Sequence, residues 1–135
     1  DLGITQQIGE CLVWIKEYDN ALPYLFKVEY LGKNPINARK AIAWCMLCLG
    51  NYGEALKHYH NLLQEETADK NDWLNTGHTY LLIGNMPQAI EHYTRASELC
   101  KNHTELYYMF MKDLFLFTKA GLSKDDLVVL IDLFV

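Results

Sequence analysis

The chain has 135 residues, a formal net charge of −5 and hydrophobic side chains at half of its positions. This is enough apolar material for one core of ordinary domain size and too much for a disordered chain. The acidic balance leaves no basic footprint for nucleic acid. No apolar run reaches the roughly 18 to 20 residues that a membrane helix needs, so membrane insertion is not expected.

Small residues recur at intervals of 34: Gly9, Ala43 and Gly77 in one series, Ala21, Ala55 and Ala89 in another. That period is the length of one helix–turn–helix unit. Three full copies are predicted, over residues 2–35, 36–69 and 70–103, with a degenerate capping pair over 104–135. In the first copy, Gly9 and Leu12 mark the first helix. Ala21, Leu25 and Val28 mark the second, with Pro23 expected in its first turn. In the second copy, Ile42, Met46 and Leu49 fall at helical spacing, Gly50-Asn51 ends that helix, and Ala55, Tyr59 and Leu62 follow. The third repeats this with Gly77, Tyr80, Gly84-Asn85, then Pro87 in a first turn and Ala89, Tyr93 and Ala96. In the fourth segment Tyr107, Phe110 and Leu114 continue the first-helix pattern, and Met111 stands where the small residue was. Ser123 is predicted to cap a last helix whose apolar stripe is Leu127, Leu130, Ile131 and Phe134.

The small residues let paired helices approach to the short end of the usual range of about 8 to 10 Å, while Leu25, Tyr59 and Tyr93 fill around the contact. No pair covers its own apolar face, so each needs a neighbour.

The third copy reads Trp73-Leu74-Asn75-Thr76-Gly77-His78-Thr79-Tyr80, then Gly84-Asn85-Met86-Pro87-Gln88-Ala89-Ile90-Glu91-His92-Tyr93-Thr94-Arg95-Ala96. It resembles the tetratricopeptide repeat in the order and spacing of Trp, Gly, Tyr, Ala, aromatic and Ala, and departs at Thr76, where the repeat has Leu. The second copy keeps Ala43, Tyr52, Ala55 and Tyr59 but has Arg39 in the Trp place; the first keeps Gly9, Tyr18 and Ala21. The resemblance implies an all-α, right-handed solenoid of antiparallel helix pairs, with three repeats plus a C-terminal helix pair. It also implies a protein-interaction scaffold or adaptor that is not an enzyme.

Most chemistry-bearing residues have a packing explanation. Cys11, Cys45 and Thr79 are repeat equivalents, so a small residue at a packed position accounts for all three. Cys45-x-x-Cys48 lacks a second ligand pair, so no metal is expected. His58 and His92 are repeat equivalents expected to face outward, and His78 has no matched nucleophile or acid nearby in sequence. No phosphate-binding glycine loop is present, and neither catalytic residues nor a cofactor is expected.

In the tetratricopeptide family the first helices line a concave face that holds peptides or partner helices. Carried over by position, the partner-binding residues here are Gln7, Glu10, Trp14, Lys40, Trp44, Leu47, Asn71, Leu74, Asn75, His78, Leu81, Leu82, Met109 and Lys112. The carboxylate clamp of chaperone-binding members does not fit. Counted from the first repeat, its places hold Gln6, Glu10, Ala41, Asn71 and Asn75, with no cation. Counted from the second, they hold Lys40, Trp44, Asn75, Glu105 and Met109. An apolar or amphipathic protein segment is the expected ligand, with Trp44→Ala weakening its binding by more than about 2 kcal/mol.

Two alternatives stand beside this. One is a packing or self-association module that makes a homodimer through its apolar C-terminal end. The other is a holder of exported proteins of the secretion-chaperone kind. The chain reads as a piece of a longer, cytoplasmic protein, since it opens on Asp1 and its cysteines form no disulfide framework.

Overall fold

The computed structural model describes all 135 residues, Asp1–Val135. It is all-helical, with 76% of residues in nine helices and no strand. The helices are α1 (Leu2–Trp14), α2 (Tyr18–Leu31), α3 (Ile36–Cys48), α4 (Tyr52–Leu63), α5 (Lys70–Leu82), α6 (Met86–Leu99), α7 (His103–Met111), α8 (Leu114–Lys119) and α9 (Lys124–Asp132). They form two compact units, Asp1–Thr67 and Ala68–Val135.

Each helix pair turns on the same backbone device. Gly50 adopts φ +82 and Gly84 φ +85, both left-handed. The amide of Gly50 donates to the Leu47 carbonyl at 3.0 Å, and that of Asn51 to Met46 at 2.9 Å. Gly84–Leu81 and Asn85–Tyr80 repeat these bonds 34 residues on. They satisfy carbonyls that the helix end would otherwise leave open. In the first pair the same place is held by Lys16, with φ +65, and Glu17 donates to Leu12 at 2.8 Å. A side chain in this conformation costs about 1 kcal/mol that glycine avoids. Lys16→Gly should therefore raise the stability of the first unit by about 0.5 to 1 kcal/mol, read as an upward shift of the urea midpoint.

In the first unit Ala21 and Leu25 of α2 and Ile42 and Cys45 of α3 form a buried cluster, with Leu12, Tyr18, Leu22, Ala41 and Met46 packed around it. Gly9 lets α1 close on α2: a Cβ there would lie 2.9 Å from Leu25 Cδ2. Pro23 lies deeper than the first turn, because α2 already begins at Tyr18, after Glu17. It is exposed, and its missing N–H removes one intrahelical bond.

In the second unit Gly77 plays the part of Gly9, with Tyr93 against it. Asp69 and Asp72 form a capping box that starts α5; Asn102 caps α7. Ser123 and Asp126 form a second capping box on α9, where the bonds from Ser123 hold the Asp126 carboxyl below its ordinary range. The first helix of the fourth pair is not continuous: α7 ends at Met111, and α8 restarts at Leu114 after Lys112-Asp113. The break coincides with the inward turn of the Asp113 carboxylate.

Candidate functional site

In the first unit, α1 presents Gln7, Glu10 and Trp14 to solvent, with Trp14 86% exposed. From α3, Trp44 is partly buried and Leu47 is buried. Lys40 reaches the Thr67 carbonyl at 3.0 Å, while its neighbour Arg39 bonds Glu65 at 2.9 Å. These two cations tie α3 to the segment after α4 and are not aimed at an incoming ligand.

In the second unit, α5 leaves Asn71 exposed and Asn75, Leu81 and Leu82 partly exposed, but buries Leu74 and His78. On α7 Met109 is buried, and just beyond its end Lys112 is exposed. The Oδ1 atom of Asn75 is buried and accepts no hydrogen bond from the chain. Lys70 forms a close ion pair with Glu105; their hydrogen bond holds the Glu105 carboxyl below the usual carboxylate range and raises the Lys70 ammonium. Leu47, Leu74, His78 and Met109 thus lie inside the fold, where no partner touches them as they stand.

His78 has the most structured surroundings of these residues. Its Nε2 lies 2.9 Å from Asp113 Oδ2 and its Nδ1 lies 2.7 Å from the Tyr93 hydroxyl. An ionised carboxylate only accepts, so Nε2–H donates to Asp113 and Tyr93 O–H donates to Nδ1. Burial, and then the Asp113 charge, push the Tyr93 phenol well above its ordinary value, so it stays a donor. Phe110 and Phe117 stand edge-on to the imidazole at 5.3 and 4.8 Å. Lys112 brings its ammonium to 3.7 Å from the other Asp113 oxygen. The row Tyr93–His78–Asp113 has the residue types of a proton relay, but all three are sealed from solvent, so none can meet a substrate. It pins α5, α6 and the α7–α8 break together. The signal for it in the sequence is a lone acid, Asp113, within the apolar run 106–117.

His92 is also buried, contrary to the outward position expected. Its ring stacks near Trp73 at 5.6 Å and Tyr80 at 5.0 Å, and its Nδ1 donates to the Gln88 carbonyl at 2.8 Å. Trp73, Gly77, Tyr80, Ala89, Tyr93 and Ala96 therefore meet within one helix pair, α5 and α6, and residues 73–106 match the family model of the tetratricopeptide repeat. The chain carries a tetratricopeptide repeat. Such repeats mediate protein–protein interaction and typically serve as non-enzymatic scaffolds. No helix of the chain is long and apolar enough to cross a membrane.

The four cysteines, of which Cys100 alone lies within that tetratricopeptide repeat, are free thiols in different settings. Cys45 and Cys48 are buried on α3, and burial, with Asp19 adding to it, pushes the Cys45 thiol up to about 12. Such a thiol is inert at neutral pH. Cys11 departs from the packed position expected of it: it is exposed, on a face of α1 that no helix covers.

Proposed function

We propose that the chain is a scaffold or adaptor that holds an apolar or amphipathic segment of another protein on the exposed faces of its first helices. The observation that carries this reading is the surface of α5, a first helix on which Asn71 is exposed and Asn75 partly exposed, so that their amides can hydrogen-bond a bound segment. Asn71, Leu81 and Leu82 offer polar and apolar contact on the same helix. In the first unit, Trp14 and Trp44 supply aromatic surface of the kind that anchors interfaces.

Peptides selected from a displayed random library against the chain test this reading, and each unit has its own variant. Trp44→Ala should weaken peptides that bind the first unit by more than about 2 kcal/mol, or about 30-fold in Kd, with the thermal transition unchanged. Asn75→Ala should do the same, at about tenfold, for peptides that bind the second. Failure to select any peptide, or selected peptides that tolerate both changes, would remove the adaptor reading.

A second reading is self-association. Tyr108, Val129 and Leu133 in the second unit are each more than 60% exposed. Sedimentation velocity decides it: a monomer at all concentrations removes the homodimer.

A further inference from the structure

A recess of about 350 Å³ opens between α5 and α6, lined by Trp73, Glu91, Thr94, Arg95 and Glu98. The last four fall at helical spacing on one exposed face of α6, and the Trp73 indole comes from α5, packed against His92. This set of residues is peculiar to the third copy of the repeat. Thirty-four residues earlier, Arg39 and Lys57 stand in the places of Trp73 and Glu91; sixty-eight earlier, Thr5 and Pro23 do. The polar atoms of the recess are mostly acceptors. The Thr94 hydroxyl already donates to the Ile90 carbonyl at 2.7 Å, so only its lone pairs remain to be used. Glu91 is exposed and pairs with no cation of the chain. The one cation is Arg95, whose guanidinium carbon lies 5.8 Å from the centre of the Trp73 ring. It bonds Glu98 at 3.3 Å, but both side chains are more than half exposed, so this pair is weak. Two carboxylates against one guanidinium leave the recess with a net negative charge.

We infer that this recess binds an arginine side chain of a partner protein, at a site separate from the first-helix faces proposed above. A guanidinium carries donors, no acceptor and one positive charge, so it matches a recess of acceptors with a net negative charge. Its flat face lies on the indole, and its N–H groups pair with the Glu91 carboxylate, which is idle in the free chain. Arginine suits the site better than lysine, because a guanidinium is planar and more weakly hydrated than an ammonium. Arg95 shows the fit, since the chain already rests a guanidinium beside that ring. Held only by an exposed pair, Arg95 can swing out with Glu98 and leave the ring to the newcomer. A second copy of the chain is not the source. Its only arginines are Arg39, which bonds Glu65, and Arg95, which is part of the recess.

The probe is the peptide acetyl-Gly-Arg-Gly-amide, with its neutral citrulline and its lysine counterparts as controls. The readout is the Trp73 indole N–H signal in nitrogen-15 NMR spectra of the whole chain, identified by its loss in Trp73→Phe. At constant ionic strength the arginine peptide should shift that signal saturably. The citrulline peptide should bind about tenfold more weakly, because it keeps the shape and loses the charge. The lysine peptide should fall between the two. Glu91→Gln should weaken the arginine peptide about fivefold, and Arg95→Ala, which removes the competing cation, should tighten it about fivefold. Both variants change exposed side chains and should leave thermal unfolding unchanged. Four results would overturn the proposal. One is a Trp73 signal that does not move. A second is equal binding of the arginine and citrulline peptides, which is stacking without charge. A third is a lysine peptide that binds as tightly as the arginine peptide. The last is weaker binding in Arg95→Ala, which would make Arg95 part of the grip and not a competitor.

Discussion

Asp113→Ala should destabilise the second unit by about 3 kcal/mol, measured as a loss in the free energy of urea unfolding. The substitution leaves His78 Nε2 buried, ringed by Phe110, Phe117 and Tyr93, with nothing to receive its proton. Leaving a buried donor unsatisfied costs about 1 to 3 kcal/mol, and the loss here falls at the upper end because the bond removed is to a charged carboxylate. Lys112 also loses its nearby carboxylate, but it is exposed and adds little. Asp113→Asn keeps an oxygen that can accept, so it should cost about half as much. His78→Leu combined with Asp113→Ala and Tyr93→Phe should recover most of the loss, since an apolar filling needs no partner and leaves no buried hydroxyl behind. A loss under about 1 kcal/mol for Asp113→Ala would mean that the imidazole finds water or another acceptor and that the row does not brace the fold.

Gly77→Ala should cost the same unit about 2 kcal/mol, whereas Gly9→Ala should be close to neutral in the first. A Cβ at 77 would lie 2.6 Å from both Cδ1 and Cε1 of Tyr93, and that ring is held at its far end by the hydrogen bond to His78. It cannot give way without breaking the bond or moving α6. Overpacking of this kind costs about 1 to 3 kcal/mol or more, and the gain from replacing a helical glycine returns only up to about 1. At Gly9 the obstacle is the Leu25 side chain, with Cδ2 at 2.9 Å and Cγ at 3.1 Å, an aliphatic group that no hydrogen bond holds in place. There the strain and the helix gain nearly cancel. Equal losses at the two positions in denaturant titrations would show that backbone spacing, and not the pinned tyrosine, sets the limit.

The two variants probe one structural theme. The repeat supplies helix pairs with a small residue opposite a large one, and the second unit adds a buried polar row that the first unit lacks at the equivalent positions. There Trp44 stands in the place of His78 and Tyr59 in that of Tyr93. His78 lies on the first helix, where family position suggested contact with a ligand. Its hydrogen bonds turn it inward and leave Asn71, Asn75, Leu81 and Leu82 as the surface of that helix.

Much of the local architecture was legible in the amino-acid order. A spacing of 34 placed the helix pairs, glycine at 50 and 84 placed the turns, and Ser123 placed the last cap, because each rests on contacts within a few residues along the chain. The helix α2 starts one turn before the place that Pro23 predicts, since a proline is tolerated inside a helix whose exposed side can lose a bond. What tertiary structure alone decided was which face of each helix is covered. Cys11 and Cys45 occupy the same place in the repeat, yet one is exposed and the other buried, because α2 lies over that face of α3 and no helix covers the equivalent face of α1. His92 and His58 are equivalents too, but Trp73 and Tyr80 close over His92. Asp113 finds His78 across 35 residues, a pairing that no local pattern encodes. Periodicity specifies what a helix can bury; burial itself depends on which neighbour arrives, and that is a property of the folded chain.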